Sequence, residues 1–224
     1  KDYSWIFAAA IFLGIMIGSI RAVFKNASGN YRIERHSIDS FLEHWGTGTG
    51  IFMLIFSGYR IFSGSGTLFA VNLHFAGMLL VLFFGCYFIA EFFALRKYNH
   101  ILPNSADIVN GTVKKYFLRM PWDDRGKYLS SQKAAFLAFA ALGSEVVVTG
   151  AIKLAALFFN IPPSLVSIST LLHDVAGVLV LCMLLVHVML IIAVRSHRLL
   201  LGAWFTGRAP GHNAAVSGDP VYKD

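Results

Sequence analysis

Residues 171–187 read LLHDVAGVLVLCMLLVH, an apolar run that holds two imidazoles, His173 and His187, fourteen residues apart. As an α-helix that interval is ~21 Å of rise and a net rotation of only ~40°. Both imidazoles therefore leave the same side of one helix, at two levels. The surrounding apolar stretch, about 167–194, exceeds the ~20 helical residues that cross a hydrocarbon core. Four more stretches qualify, at about 4–24, 42–62, 70–95 and 133–159, which makes five candidate spans. The 224-residue chain is 56% hydrophobic with a mean hydropathy of +0.63, too apolar for an ordinary soluble globule. The first stretch outruns the apolar region of a signal peptide and no small-residue cleavage site follows it, so a retained span is expected. Ser63-Gly64-Ser65-Gly66 and Pro162-Pro163 break the chain into two short, uncharged turns.

Charge orders these spans. Residues 21–43, 96–133 and 195–224 hold all of the 19 lysines and arginines except Lys1, Arg60 and Lys153. The net charge of +7 thus flanks apolar spans and does not form one patch, which argues for topology and against a nucleic-acid partner. By the positive-inside rule that side is cytoplasmic, with the N-terminus outside and the C-terminus inside. The tail after Gly207 is expected to be a surface arm. No internal repeat is evident. Cys86 and Cys182 lie in apolar runs without a Cys-x-x-Cys pattern, so zinc, iron–sulfur and c-type haem sites are not encoded; both read as small apolar fillers.

The histidines sort by depth. Threading the helices alternately puts His44 and His187 near the cytoplasmic face and His74 and His173 near the outer one. Two neutral imidazoles on facing helices can clamp a haem iron axially, and one bundle can stack two haems. Gly48, Gly77 and Gly177 each follow a histidine closely, where a porphyrin would need room. The competing readings are interhelical polar glue, a haem-free membrane anchor, or a transporter or sensor site. His36, His100, His197 and His212 read as solvated surface, with His36 and His197 also candidates to touch a propionate or quinone. The expectation is an all-α integral membrane protein: an extra N-terminal transmembrane helix (1–25), a four-helix haem-binding bundle (26–207) and a cytoplasmic tail (208–224).

Over about residues 34–212 the chain resembles the cytochrome b (gamma) subunits of membrane-bound formate dehydrogenases, within the wider dihaem formate dehydrogenase and hydrogenase cytochrome b superfamily. The likeness rests on Glu43-His44-Trp45, His74, Lys127-Tyr128, Gln132-Lys133 and the His173 to His187 interval. It implies two haem b groups, the outer one on His74 and His173 and the cytoplasmic one on His44 and His187. It further implies an iron–sulfur subunit as electron donor, a catalytic dehydrogenase subunit, and menaquinone or ubiquinone reduced near the cytoplasmic face of a bacterial or archaeal inner membrane. The whole complex is a candidate oligomer. Family members often carry asparagine where this chain has Leu129, which unsettles the quinone contact. Hydrogenase and other dehydrogenase or reductase cytochromes are the alternatives.

Several other residues are candidates for this chemistry. Tyr128, Gln132 and Lys133 are expected at a quinone site, and Glu91, with Glu145 second, on a proton path. Arg60 and Lys153 toward the outer face, and Arg195 and Arg198 toward the inner one, are placed to pair with haem propionates, although snorkelling serves each equally well. No nucleophile with a base and no phosphate loop is present, so oxidation of the primary substrate is assigned to partners.

Overall fold

The structure is a computed structural model that describes residues 5–27, 38–122 and 128–193. The described residues form helices joined by turns, with no strand. Lipid offers no partner for backbone polar groups, so helices that satisfy their own N–H and C=O groups are the expected solution. The long helices are α1 (Trp5–Ala27), α2 (Ile38–Phe62), α3 (Leu68–Ala94), α7 (Ser130–Ala155) and α8 (Pro163–Ala193). Between α3 and α7 come three short helices, α4 (Tyr98–Ile101), α5 (Ser105–Ile108) and α6 (Lys115–Phe117), with a π-helical turn at Val109–Lys114.

All five expected spans are helices. Four of them, α1, α3, α7 and α8, are long and apolar enough to cross a membrane. At 25 residues α2 is long enough too, but Asp39, Glu43, His44 and Arg60 dilute its apolar character. The starts of α2 and α7 precede the expected apolar runs because their first turns are polar: Asp39 and Ser40 in one, Ser130, Ser131 and Gln132 in the other. Pro163, read as a breaker, opens α8, where its missing N–H costs nothing. Large apolar side chains such as Phe12, Phe52, Phe69, Leu171 and Met189 are exposed, whereas the buried apolar set is dominated by alanines, Ala22, Ala70 and Ala176. In water so much exposed apolar surface would drive aggregation; in a bilayer it faces its solvent.

The chain divides into two compact units, with the boundary between Asn99 and His100. In the first, α3 packs against both α1 and α2. Small residues bring the backbones together. A Cβ on Gly14 would stand 2.4 Å from the Phe83 carbonyl oxygen, and one on Gly18 would stand 2.6 Å from that of Tyr87. With buried Ala22 they form a small-xxx-small stripe on α1. Gly50 and Gly77 meet in the same way between α2 and α3, each 3.0 to 3.1 Å from the other's carbonyl oxygen once a Cβ is added. Gly77 is therefore spent on helix packing, not on room for a porphyrin.

The end of α3 is a Schellman turn. Arg96 takes φ 49°, its N–H bonds the Phe93 carbonyl, and the Lys97 N–H bonds that of Phe92. This reversal returns the Lys97 ammonium to the buried Glu91 carboxylate, with Glu43 of α2 at 3.9 Å.

In the second unit α7 packs on α8, and the segment from α5 to α6 caps the start of α7. Asn104 and Asp107 form a reciprocal capping box, side chain to backbone, at 2.8 and 3.0 Å.

Gly18→Leu is expected to push α1 off α3 at a cost of roughly 1–3 kcal/mol, typical of overpacking. A lower thermal midpoint of the purified protein in detergent is the readout. An unchanged midpoint would show that this stripe does not hold α1.

Candidate functional site

The four span histidines divide evenly between the units. In the first unit His44 lies near the start of α2, and His74 lies in the second turn of α3, just past the connecting turn. In the second unit His173 lies toward the α7–α8 turn, and His187 near the far end of α8. Each unit thus carries one imidazole on its turn side and one on its open side.

The turn-side pair is held by one device used twice. In the first unit, Nδ1 of His74 is 3.0 Å from Oγ of Ser57, a fully buried residue. That hydroxyl bonds the Met53 carbonyl at 2.5 Å, and with its only hydrogen spent there, Ser57 accepts from His74 Nδ1–H. In the second unit, Nδ1 of His173 is 3.1 Å from both Thr149 Oγ1 and the Val146 carbonyl oxygen. A carbonyl can only accept, so this Nδ1 also carries hydrogen, and Thr149 donates to the Glu145 carbonyl at 2.7 Å. Both rings are thereby the tautomer whose lone pair sits on Nε2, the form that ligates a metal. A glycine follows each hydroxyl residue, and a Cβ on Gly58 or Gly150 would lie 3.8 or 3.2 Å from Cε1 of the same histidine. In the open-side pair, His44 meets the edge of Trp45 at 5.6 Å and His187 that of Phe139 at 6.0 Å, both near perpendicular.

The glycines supply a test of fit for a flat macrocycle. A Cβ on Gly48, Gly85, Gly143 or Gly177 meets no described atom within 4 Å. Gly48 and Gly177 lie one turn beyond His44 and His173. Gly85 follows His74 by eleven residues, a net rotation of ~20°, and Gly143 precedes Gly150 by seven, again ~20°. Each of the four helices α2, α3, α7 and α8 therefore has an open glycine on its imidazole-facing side. The donor set and the open faces fit haem.

The sequence model of a family described as "Prokaryotic cytochrome b561" matches residues 35–206. The chain belongs to the prokaryotic cytochrome b561 family. Membership makes it a multi-pass membrane cytochrome b, a helical bundle that binds b-type haem and transfers electrons. Helix α1 lies outside the matched residues. No curated protein matches the chain.

The remaining candidates scatter. Glu91 is fully buried, ion-paired to Lys97, and accepts from the Tyr87 hydroxyl at 3.4 Å. Glu145 is half-buried in the middle of α7. Arg60 is exposed at the end of α2. Lys153, three residues beyond Gly150, is half-buried in the last turn of α7. Gln132 Oε1 accepts the Leu129 N–H at 3.1 Å, so its carbonyl caps α7. Lys133 is paired with Asp107 at 3.0 Å. Tyr128 is half-buried just before α7, and His100 is exposed in α4. Arg195, Arg198, His36, His197, His212 and Lys127 lie outside the described residues.

Sequence reasoning missed Ser57 and Thr149. The available signal was a hydroxyl residue followed by glycine, Ser57-Gly58 and Thr149-Gly150, late in the helix before a histidine-bearing helix. It also missed Asp107, which gathers Lys133, the Ser130 hydroxyl at 2.9 Å and the Asn104 N–H. Burial alone would push the Asp107 carboxyl up. The bonds from Asn104, Lys133 and Ser130, with the Lys133 charge, outweigh burial and hold it below its ordinary value.

A carboxyl depressed in the fold contributes stability that is present above its ordinary range and is lost as pH falls through the lowered value. Asp107→Asn is expected to cost roughly 1–3 kcal/mol near neutral pH and to flatten the acid limb of a melting-temperature profile. Identical acid limbs in the two proteins would remove Asp107 from this role.

Proposed function

We propose that this chain is the membrane electron-transfer subunit of a larger oxidoreductase, carrying two b haems, one on His74 and His173 and one on His44 and His187. Electrons pass between an iron–sulfur partner subunit and menaquinone or ubiquinone near the cytoplasmic face. The observation that carries this reading is the matched Nδ1 bonding of His74 and His173, one from each unit, which leaves both rings with Nε2 as donor.

Bound haem b supplies a reversible one-electron change at iron. The chain's own residues hold His74 and His173 in one tautomer, through Ser57 in the first unit and through Thr149 and the Val146 carbonyl in the second. Lys153 and Arg60 on the turn sides, and Arg195 and Arg198 after α8, are the cations offered to propionates, whose burial needs a positive partner. Reduction of a quinone to a quinol takes two electrons and two protons. Glu91, with the Tyr87 hydroxyl and the Lys97 ammonium bonded to it, is the assigned proton carrier, and an ionisable group inside the membrane calls for such a role. Tyr128, Gln132 and Lys133 are assigned to the quinone end, where the bonds of Gln132 and Lys133 to the α7 cap give that end a rigid wall.

Within the family we favour the gamma subunit of a formate dehydrogenase, on Lys127-Tyr128 and Gln132-Lys133. A hydrogenase or another dehydrogenase cytochrome is the alternative, and sequencing the subunits that copurify decides between them.

The purified protein is expected to show a sharp reduced-minus-oxidised b-type spectrum with two haems per chain. Alanine at His74 or His173 removes one and the same haem, and alanine at His44 or His187 removes the other. A chain without b-type bands, or four alanine variants with intact spectra, would refute the reading. For the proton carrier, Glu91→Gln is expected to slow quinone reduction at least several-fold and to alter its pH dependence while both haems stay bound. A rate and pH profile like those of the unmodified protein would exclude Glu91.

A further inference from the structure

Ser57 and Thr149 have no assigned role, and their geometry is alike in two units that differ in sequence and in loop length. In each, a buried hydroxyl on the first helix of a hairpin spends its hydrogen on a carbonyl one turn back and meets Nδ1 of a histidine on the second helix. In each, the next residue is a glycine beside the same ring, where a Cβ would lie in ordinary contact at Gly58, 3.8 Å away, and in tight contact at Gly150, 3.2 Å away. Back-bonding of serine and threonine to a carbonyl is common in helices and by itself means only packing. What exceeds packing is the direction imposed. The back-bond fixes the hydroxyl hydrogen, so the oxygen meets the imidazole as an acceptor, and the imidazole must donate.

We infer that Ser57 and Thr149 are matched positioning residues that tune one haem of the two, the one shared by His74 and His173. The assignment rests on the proposed haem ligation above. An imidazole whose N–H donates to an acceptor gains electron density at its other nitrogen and becomes the stronger ligand. A stronger axial donor favours the oxidised iron and lowers the reduction potential, since axial ligands and their hydrogen bonds are the levers the protein has over that potential. Ser57 and Thr149 thus act on the haem through its ligands, each bonding the Nδ1 of one of them. His173 has the Val146 carbonyl as a second acceptor at 3.1 Å, so Thr149 adds to a bond that persists without it.

The test is an optical and electron-paramagnetic-resonance redox titration of the full chain with its haems, purified in lipid nanodiscs. The variants are Ser57→Ala, Thr149→Val, Ser57→Thr and Thr149→Ser. Ser57→Ala and Thr149→Val are expected to move the same one of the two transitions to higher potential and leave the other in place. Ser57→Thr and Thr149→Ser, which keep the hydroxyl, are expected to titrate like the unmodified protein. Loss of that one haem in Ser57→Ala, with retention in Ser57→Thr, also supports the assignment. Unmoved potentials, shifts in different haems, or equal shifts in both overturn it while the proposed ligation stands. An unmodified chain with no b-type spectrum overturns the ligation and this assignment together.

Discussion

The bond from imidazole Nδ1–H to an oxygen of the neighbouring helix is the constraint on which the site depends. In lipid a polar ring must find a partner, and bonding across a helix pair is how such rings are ordinarily satisfied. His74 and His173 meet that need through Nδ1, to Ser57 and to Thr149 with the Val146 carbonyl. Satisfying one nitrogen in this way decides the chemistry of the other. Interhelical glue and the proposed haem ligation are thus compatible descriptions of these residues, because a bond at Nδ1–H puts the lone pair on Nε2.

Glycine does two opposite things in this fold, and only the neighbours tell them apart. Gly14, Gly18, Gly50 and Gly77 are contact points where a side chain would strike a backbone oxygen on the next helix. Gly48, Gly85, Gly143 and Gly177 have open space before them, on the sides of α2, α3, α7 and α8 that bear or face the histidines. The first group sets how closely helices approach within a unit. The second leaves an open face on each of those helices, as the proposed haems require. Helix α1 belongs to the first economy alone: it adds no histidine, lies outside residues 35–206, and is fastened by Gly14, Gly18 and Ala22 to α3.

Apolar run length located the five long helices, and their register placed His173 and His187 on one side of α8, because both are properties of a single segment. What escaped the sequence depends on segments meeting. Gly77 read as room for a porphyrin because its distance from His74 was visible and its contact with Gly50 was not. Gln132 and Lys133 enter as quinone residues by resemblance, and their bonds at the start of α7, one to the Leu129 N–H and one to Asp107, became visible only in the fold. The segment from 96 to 133 looked like a basic loop because its helices are too short to give a periodic signal. In its described part Asp107, a single carboxylate, ties α5 to α7. The Ser57 and Thr149 device is an internal likeness between hairpins that sequence comparison does not register, since the hydroxyl-to-histidine intervals differ.

The limited apolarity of α2 follows from the same logic. A helix facing lipid all round is selected for hydropathy alone, whereas a helix that builds a site must carry polar groups and satisfy each of them. Ser57 of α2 is bonded to Met53 and His74, and Glu43, 8% exposed, faces Lys97. Its glycines divide between contact at Gly50 and openness at Gly48. The Schellman turn at Arg96 completes the arrangement, because without a reversal there Lys97 would continue along the axis of α3 and could not return to Glu91 and Glu43. Part of the polarity that weakens α2 as a membrane span thus belongs to contacts with α3 and the turn after it: Ser57 orients His74, and Glu43 meets Lys97.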